Sequence, residues 1–282
     1  MAQNLVTRFA PSPTGRLHLG HAYSALLAHD RAREGGGQFV LRIEDIDLER
    51  CRAEFVDGIY EDLLWLGLEW EGSVMVQSKR MNFYAAALDQ LRERGLVYRC
   101  WCTRAEIAAS AGAPQGHEGP LYSGTCKGRR DPGDGLPYCW RLDTALACAV
   151  AGPLIWHDAT AGMVAADPLA HGDVVIARKD IPASYHLAVT VDDAAQNVTD
   201  VVRGRDLFTA THIHCLLQAL LGLPTPRYHH HAVLQGSDGE RLAKRLGAPT
   251  LAALRDSGAS PKHVVAEMRK GRFPFGFRLE GA

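Results

Sequence analysis

The sequence predicts an α/β protein: a parallel sheet built in two halves and interrupted by an insertion. Three observations carry that reading. Near the start, two short apolar runs flank a helical one, the pattern of a βαβ unit with its right-handed crossover. After Tyr98 the periodicity gives way to clustered Cys, Gly, Pro and basic residues. Beyond about residue 170, apolar runs of strand and helix length return. The expected organisation is a first half over 1–97, an insertion over 98–170, a second half over 171–245 and a basic C-terminal segment over 246–282.

Val6–Ala10 reads as a short buried strand. Pro11 and Pro13 then fix φ and remove backbone donors, so the chain there is stiff and extended. Thr14-Gly15 gives a turn, and Tyr23–Ala28 starts an apolar run at helical spacing, so His18 and His21 fall at a helix opening. Free N–H groups and the macrodipole make such a place favourable to an anion. Gly20 between the histidines lets a flat base or sugar approach the backbone, and imidazoles there can donate hydrogen bonds to a phosphate. Gly35-Gly36-Gly37 stops the helix, and Phe39–Ile43 is the second strand. Apolar residues at three- and four-residue steps predict helices over Cys51–Leu66 and over Asn82–Arg94, the latter ended by Gly95.

Further along, Tyr138–Leu142, Leu154–Asp158 and Asp173–Ala177 are strand-like. A second apolar stretch, Ser184–Val191, leads into Asp192-Asp193, and Val201–Asp206 follows. A helix over Thr211–Leu221 ends at Gly222 and Pro224, and His231–Leu234 is strand-like. His229-His230-His231 invites a metal reading. Consecutive strand residues point to opposite faces, so the run is structural or an edge of the nucleotide site.

Composition bounds the remaining classes. With 282 residues, 46% hydrophobic and 22% charged, the chain reads as a soluble globular protein able to bury a core. No apolar run reaches membrane-spanning length, and Met1–Asn4 lacks the basic start of a signal peptide, so a cytoplasmic location is expected. Seven cysteines without a secretory signal argue against a disulfide framework. Net charge is −1, yet from Arg241 onward nine Lys/Arg stand against three acids. A basic tail on an acidic body is compatible with a phosphate backbone lying along that tail.

Cys100-x-Cys102 and Tyr122-x-x-x-Cys126 bring three thiols from two loop-like segments, enough to pin a small insertion around Zn²⁺ once a fourth ligand joins. Tyr122 or His117 could supply it, and imidazole is chemically the commoner ligand. Cys51, Cys139, Cys148 and Cys215 read as isolated buried thiols.

The run from Arg8 through Phe9-Ala10-Pro11-Ser12-Pro13-Thr14-Gly15-Arg16-Leu17 into His18-Leu19-Gly20-His21 resembles the HIGH signature of class I aminoacyl-tRNA synthetases, as spelled in the glutamyl branch. The resemblance implies a Rossmann nucleotide-binding fold with a zinc-containing insertion and a short C-terminal helical segment. It implies ATP bound at Pro11, His18, Gly20, His21, Arg241 and Lys244, with His18, His21, Lys244 and Mg²⁺ stabilising the reacting phosphates. Gly239–Arg245 stands where the family keeps its KMSKS loop; both serines are missing and Arg241 replaces the first lysine, but Lys244 survives. Arg8, Ala10, Ser12, Glu44, Tyr185 and Arg203 would line an L-glutamate site. Arg203, assisted by Arg8, would hold the γ-carboxylate and Glu44 would face the α-ammonium. Plain alternatives are a Glu44–Arg42 pair and an Arg203–Asp206 pair.

The C-x-C…Y-x-x-x-C pattern is similar to the zinc site of glutamyl-queuosine tRNA(Asp) synthetases, which implies Tyr122 as fourth ligand. Only 37 residues follow Arg245, fewer than the anticodon-reading domains of a full glutamyl enzyme need. That branch implies a monomeric ligase acylating queuosine-containing tRNA(Asp). A truncated synthetase charging tRNA(Glu), an inactive RNA-binding paralogue and a nucleotidyltransferase for another acid are the alternatives.

Overall fold

The computed structural model describes residues 4–281 apart from 104, 108–114, 117–118, 131, 133–134, 237–238, 240–241 and 243–248. Among the described residues no helix is long and apolar enough to cross a membrane.

The first half runs β1 (Val6–Phe9), α1 (Leu19–Glu34), β2 (Gln38–Ile43), α2 (Ala53–Trp65), β3 (Met75–Val76) and α3 (Met81–Glu93). Its strands pair in parallel in the order β1-β2-β3. The glycine run after α1 is more than a stop signal. A Cβ on Gly37 would lie 2.0 Å from the Leu5 carbonyl oxygen, so only glycine lets the chain enter β2 beside β1. Gln38 then donates to that same carbonyl at 2.8 Å.

Strand β4 (Val97–Cys100) opens the insertion, followed by the small hairpin of β5 (Gln115–Gly116) and β6 (Gly119–Pro120). Next come β7 (Cys139–Leu142), α4 (Thr144–Ala151), β8 (Ile155–Asp158), β9 (Gly162–Ala165) and β10 (Val175–Ala177). Strands β10-β7-β4 form an antiparallel sheet. The second half adds α5 (Tyr185–Ala195), β11 (Asp200–Gly204), α6 (Ala210–Leu221), β12 (Arg227–His231) and β13 (Leu234–Gln235). Its sheet runs β11-β12-β8-β9, parallel except for the last pair. Thus β8, from within the span 98–170, is a strand of the second half's sheet. Thr199 joins the two parallel sheets by donating its N–H to the Val6 carbonyl at 2.9 Å.

The C-terminal segment folds back as α7 (Leu251–Asp256), α8 (Pro261–Arg269) and β14 (Arg278–Leu279), with β14 pairing antiparallel to β13. Leu251, Leu254, Val264, Val265 and Met268 share one buried cluster with Leu19 and Leu26 of α1 and Ile59 and Leu63 of α2. His18 forms a β-bridge with Thr250, and Leu251 donates to the Leu17 carbonyl at 2.8 Å. The C-terminal segment therefore buttresses the loop that carries the histidines. A second cluster packs α3, α5 and α6 around Leu88, Leu187 and Leu216.

Candidate active site

His18 is the N-cap of α1 and His21 its third residue, so both imidazoles stand at the positive end of the helix. His18 Nδ1 accepts from the Gly20 N–H at 3.1 Å, and His21 Nδ1 accepts from the His18 N–H at 3.2 Å. A backbone N–H can only donate, so both Nδ1 atoms are unprotonated and each neutral ring carries its proton on Nε2. The rings stack with centroids 3.8 Å apart. Burial lowers both pKa values, that of His21 to about 3 with help from its neighbour's charge. Two neutral Nε2–H donors result. A Cβ on Gly20 would meet His18 Cε1 at 3.0 Å, so a larger residue would crowd the first ring.

Beside this pair lies a cavity of about 690 Å³ at the carboxyl ends of β1, β2 and β11, the position open α/β sheets use for ligands. Arg8, Ala10, Pro11 and Ser12 enter it from the first half, Glu44 from the end of β2, and Tyr185 and Arg203 from the second half, together with His18 and His21. A smaller cavity of about 170 Å³ continues past the histidines, bounded by Gly20, Tyr23, His231 and Leu242. Lys244, Arg241 and Arg245 lie outside the described residues; Leu242, which is described, is buried against the Gly20 side of this slot.

Three of the arginines near the cavity, Arg8, Arg42 and Arg203, are not equivalent. Asp193 accepts from Arg8 Nε at 3.1 Å and from Arg42 at 2.8 Å, and Arg42 also reaches Glu44 at 3.2 Å. Burial alone would raise the Asp193 pKa, but the two guanidiniums outweigh it and lower it. Burial raises the pKa of Glu44 against the opposing pull of Arg42 and Arg8. The Glu44–Arg42 pairing therefore forms, while Glu44 still lines the cavity. Arg203 differs. Its Nε donates to His230 Nε2 at 3.1 Å and its terminal nitrogens reach Thr211 Oγ1 at 2.6 Å, the Leu207 carbonyl at 3.1 Å, and Tyr185 Oη and His214 Nδ1 at 3.4 Å. No carboxylate among the described residues, Asp206 included, bonds to it directly. A buried guanidinium without a direct anionic partner favours an incoming carboxylate.

At the insertion, the Sγ atoms of Cys100, Cys102 and Cys126 lie within 4.8 Å of one another. Tetrahedral zinc with Zn–S bonds of about 2.3 Å sets sulfurs roughly 3.8 Å apart, and Cys102 and Cys126 are 3.5 Å apart. Tyr122 Oη is 3.7 Å from Cys102 Sγ and accepts from the Cys126 N–H at 2.7 Å. The donor set thus fits a zinc ion; His117 lies outside the described residues. Cys139, expected to be an isolated thiol, instead faces Cys100 across β4 and β7. Its hydrogen bond is the main cause holding the Cys100 pKa well below the usual thiol value.

Sequence reasoning gave the Glu44–Arg42 pair only as a plain alternative and missed Asp193, which ties Arg8 to that pair. Two adjacent acids closing an apolar helical stretch were the available signal, since buried carboxylates require partners.

Parallel strands that deliver a histidine pair and an anion-seeking guanidinium to one cavity define the catalytic unit of a class I tRNA synthetase. Comparisons with known proteins agree: the family described as "tRNA synthetases class I (E and Q), catalytic domain" matches residues 4–275. A glutamyl-Q tRNA(Asp) synthetase from Rhodobacter capsulatus is 50% identical, the match covering 92% of this chain and 98% of that one. Another from Symbiobacterium thermophilum is 43% identical over 94% of this chain and 85% of its own. A solved glutamate tRNA ligase from Elizabethkingia meningosepticum shares the fold, with a TM-score of 0.68 at 24% identity over 91% of this chain and 53% of that one. The chain belongs to the glutamyl-Q tRNA(Asp) synthetases of this class I ligase family.

Proposed function

We propose that this chain activates L-glutamate with ATP and transfers it to the queuosine base of tRNA(Asp). The carrying observation is the single cavity that joins the neutral His18–His21 pair to Arg203. ATP would lie with its base in the slot by Gly20 and its phosphates at the head of α1. Glutamate would lie with its γ-carboxylate on Arg203, Arg8 nearby, and its α-ammonium toward Glu44. Its α-carboxylate then attacks the α-phosphorus in line; the new O–P bond forms as the bond to pyrophosphate breaks. The two Nε2–H groups donate to oxygens gaining charge, and Lys244 would meet the departing phosphates. Mg²⁺ arriving with ATP would share that charge. A queuosine hydroxyl next attacks the activated carbonyl, releasing AMP. Cys100, Cys102, Cys126 and Tyr122 would hold one structural zinc ion.

The direct test is transfer of labelled glutamate to purified tRNA(Asp) with and without queuosine, alongside tRNA(Glu). The expected result is label only on the queuosine-containing tRNA(Asp). Label on tRNA(Glu) would identify a conventional charging enzyme, and no label with no pyrophosphate exchange would mean that the fold no longer catalyses.

A further inference from the structure

The run His229-His230-His231 is divided among three tasks. His229 Nε2 bonds to Asp200 at 2.8 Å, and His231 Nε2 bonds to Ser24 Oγ at 3.1 Å on the rim of the nucleotide slot. Of the three, His230 alone faces Arg203.

Its hydrogen bonds are fixed in direction. A guanidinium can only donate, so His230 Nε2, 3.1 Å from Arg203 Nε, is an acceptor. In a neutral ring the proton then sits on Nδ1, which lies 2.8 Å from Asp158 Oδ2. Asp158 is itself immobilised: its Oδ1 accepts the N–H groups of Thr160 and Ala161, each at 2.9 Å, and its Oδ2 the His230 N–H at 3.3 Å. The rings of Phe208, Tyr228 and Trp156, with centroids 5.0, 5.8 and 5.9 Å from the imidazole, shut water away from the contact. Strands β8, β12 and β11 thus carry carboxylate, imidazole and guanidinium in a line that ends at the cavity.

We propose that His230 and Asp158 are positioning residues: Asp158 locks the Nδ1–H tautomer of His230, whose Nε2 aims Arg203 at the substrate carboxylate without neutralising it. A carboxylate at position 230 would hold Arg203 equally well but would compete with the substrate. The neutral acceptor leaves the guanidinium charge for glutamate. This inference rests on the reading of Arg203 as the side-chain carboxylate holder.

The test is glutamate-dependent pyrophosphate exchange on the full chain, with thermal unfolding run on every variant. His230→Leu removes the acceptor and is expected to raise the KM for glutamate about 10- to 100-fold, the range for losing a hydrogen bond to a charged group. The kcat and the KM for ATP should stay within about threefold of wild type, a range well below that loss. His230→Gln, whose Oε1 can accept from Arg203, should recover most of the glutamate affinity. His230→Asp should abolish glutamate binding in a folded protein. In Asp158→Asn the amide nitrogen would turn toward Nδ1 and shift the imidazole proton to Nε2, visible in the ring's ¹⁵N spectrum and again as a raised KM for glutamate. Unchanged KM in His230→Leu, with Arg203→Ala raising it, would overturn the relay. No effect in Arg203→Ala would instead overturn the assignment of Arg203. Parallel losses in kcat and both KM values would reduce His230 to a packing role.

Discussion

At the residue scale, the chemistry turns on proton positions that hydrogen-bond direction dictates. His21 is a neutral donor, because burial holds its pKa at about 3 and its Nδ1 is committed to the His18 N–H. His21→Ala should therefore slow adenylate formation by about 100- to 1,000-fold, the cost of removing one donor to a developing oxyanion. ATP binding should change only a few-fold; an equal loss in binding and rate would sink the transition-state role. His18 and His21 were legible in the sequence because their chemistry is packed into four consecutive residues. His230 was not, since its role depends on Asp158, 72 positions away and adjacent only once β8 pairs with β12. Asp193 was hidden likewise: it sits 185 positions from its partner Arg8.

At the element scale, periodicity located the major helices to within a few residues. The expected helix over Asn82–Arg94 is α3, Met81–Glu93, and that over Thr211–Leu221 is α6, Ala210–Leu221. Short alanine-rich α4 went unread because its apolar residues make no clear stripe, whereas the short C-terminal helical segment that the resemblance implied is α7 and α8. Leu154–Asp158 was read as a strand, but alternation cannot say which sheet a strand joins. The antiparallel sheet of the insertion ends at the thiol cluster, since β4 terminates on Cys100. Stoichiometric zinc is therefore expected on metal analysis and should be lost in Cys126→Ser. Because the cluster lies outside the acid cavity, that variant should lose transfer to tRNA more than glutamate-dependent pyrophosphate exchange. A folded, zinc-free wild type would remove the site.

At the scale of the whole molecule, the basic tail is partly consumed by the fold. Arg255 pairs with Asp62 at 2.6 Å and Glu61 at 3.1 Å, and Arg269 pairs with Asp30 at 2.7 Å. Charge counted along the chain overstated what remains for RNA, since sequence does not reveal which acids fold against which bases. The buried histidines also set an acid limit. His21 and His230, with folded pKa values of about 3 and about 4, bind protons between pH 6.5 and about pH 4 chiefly when unfolded. The unfolded state therefore takes up more protons as pH falls below 6.5, so burying the neutral rings costs nothing above that pH and stability falls below it. The penalty grows progressively until about pH 3, where the folded rings begin to protonate as well. The melting temperature of His21→Ala should fall less steeply than that of wild type between pH 6.5 and 4; identical slopes would contradict the buried neutral ring.

The bridge of His18 to Thr250 and the pairing of Leu234 with Leu279 carry a consequence for synthesis. A growing chain exposes its histidines first but cannot brace them until the last two helices have left the ribosome. A released chain truncated ahead of Thr250 should hold no ATP, whereas the released 282-residue chain should. The loop that carries the histidines is thus braced by a segment translated long after it.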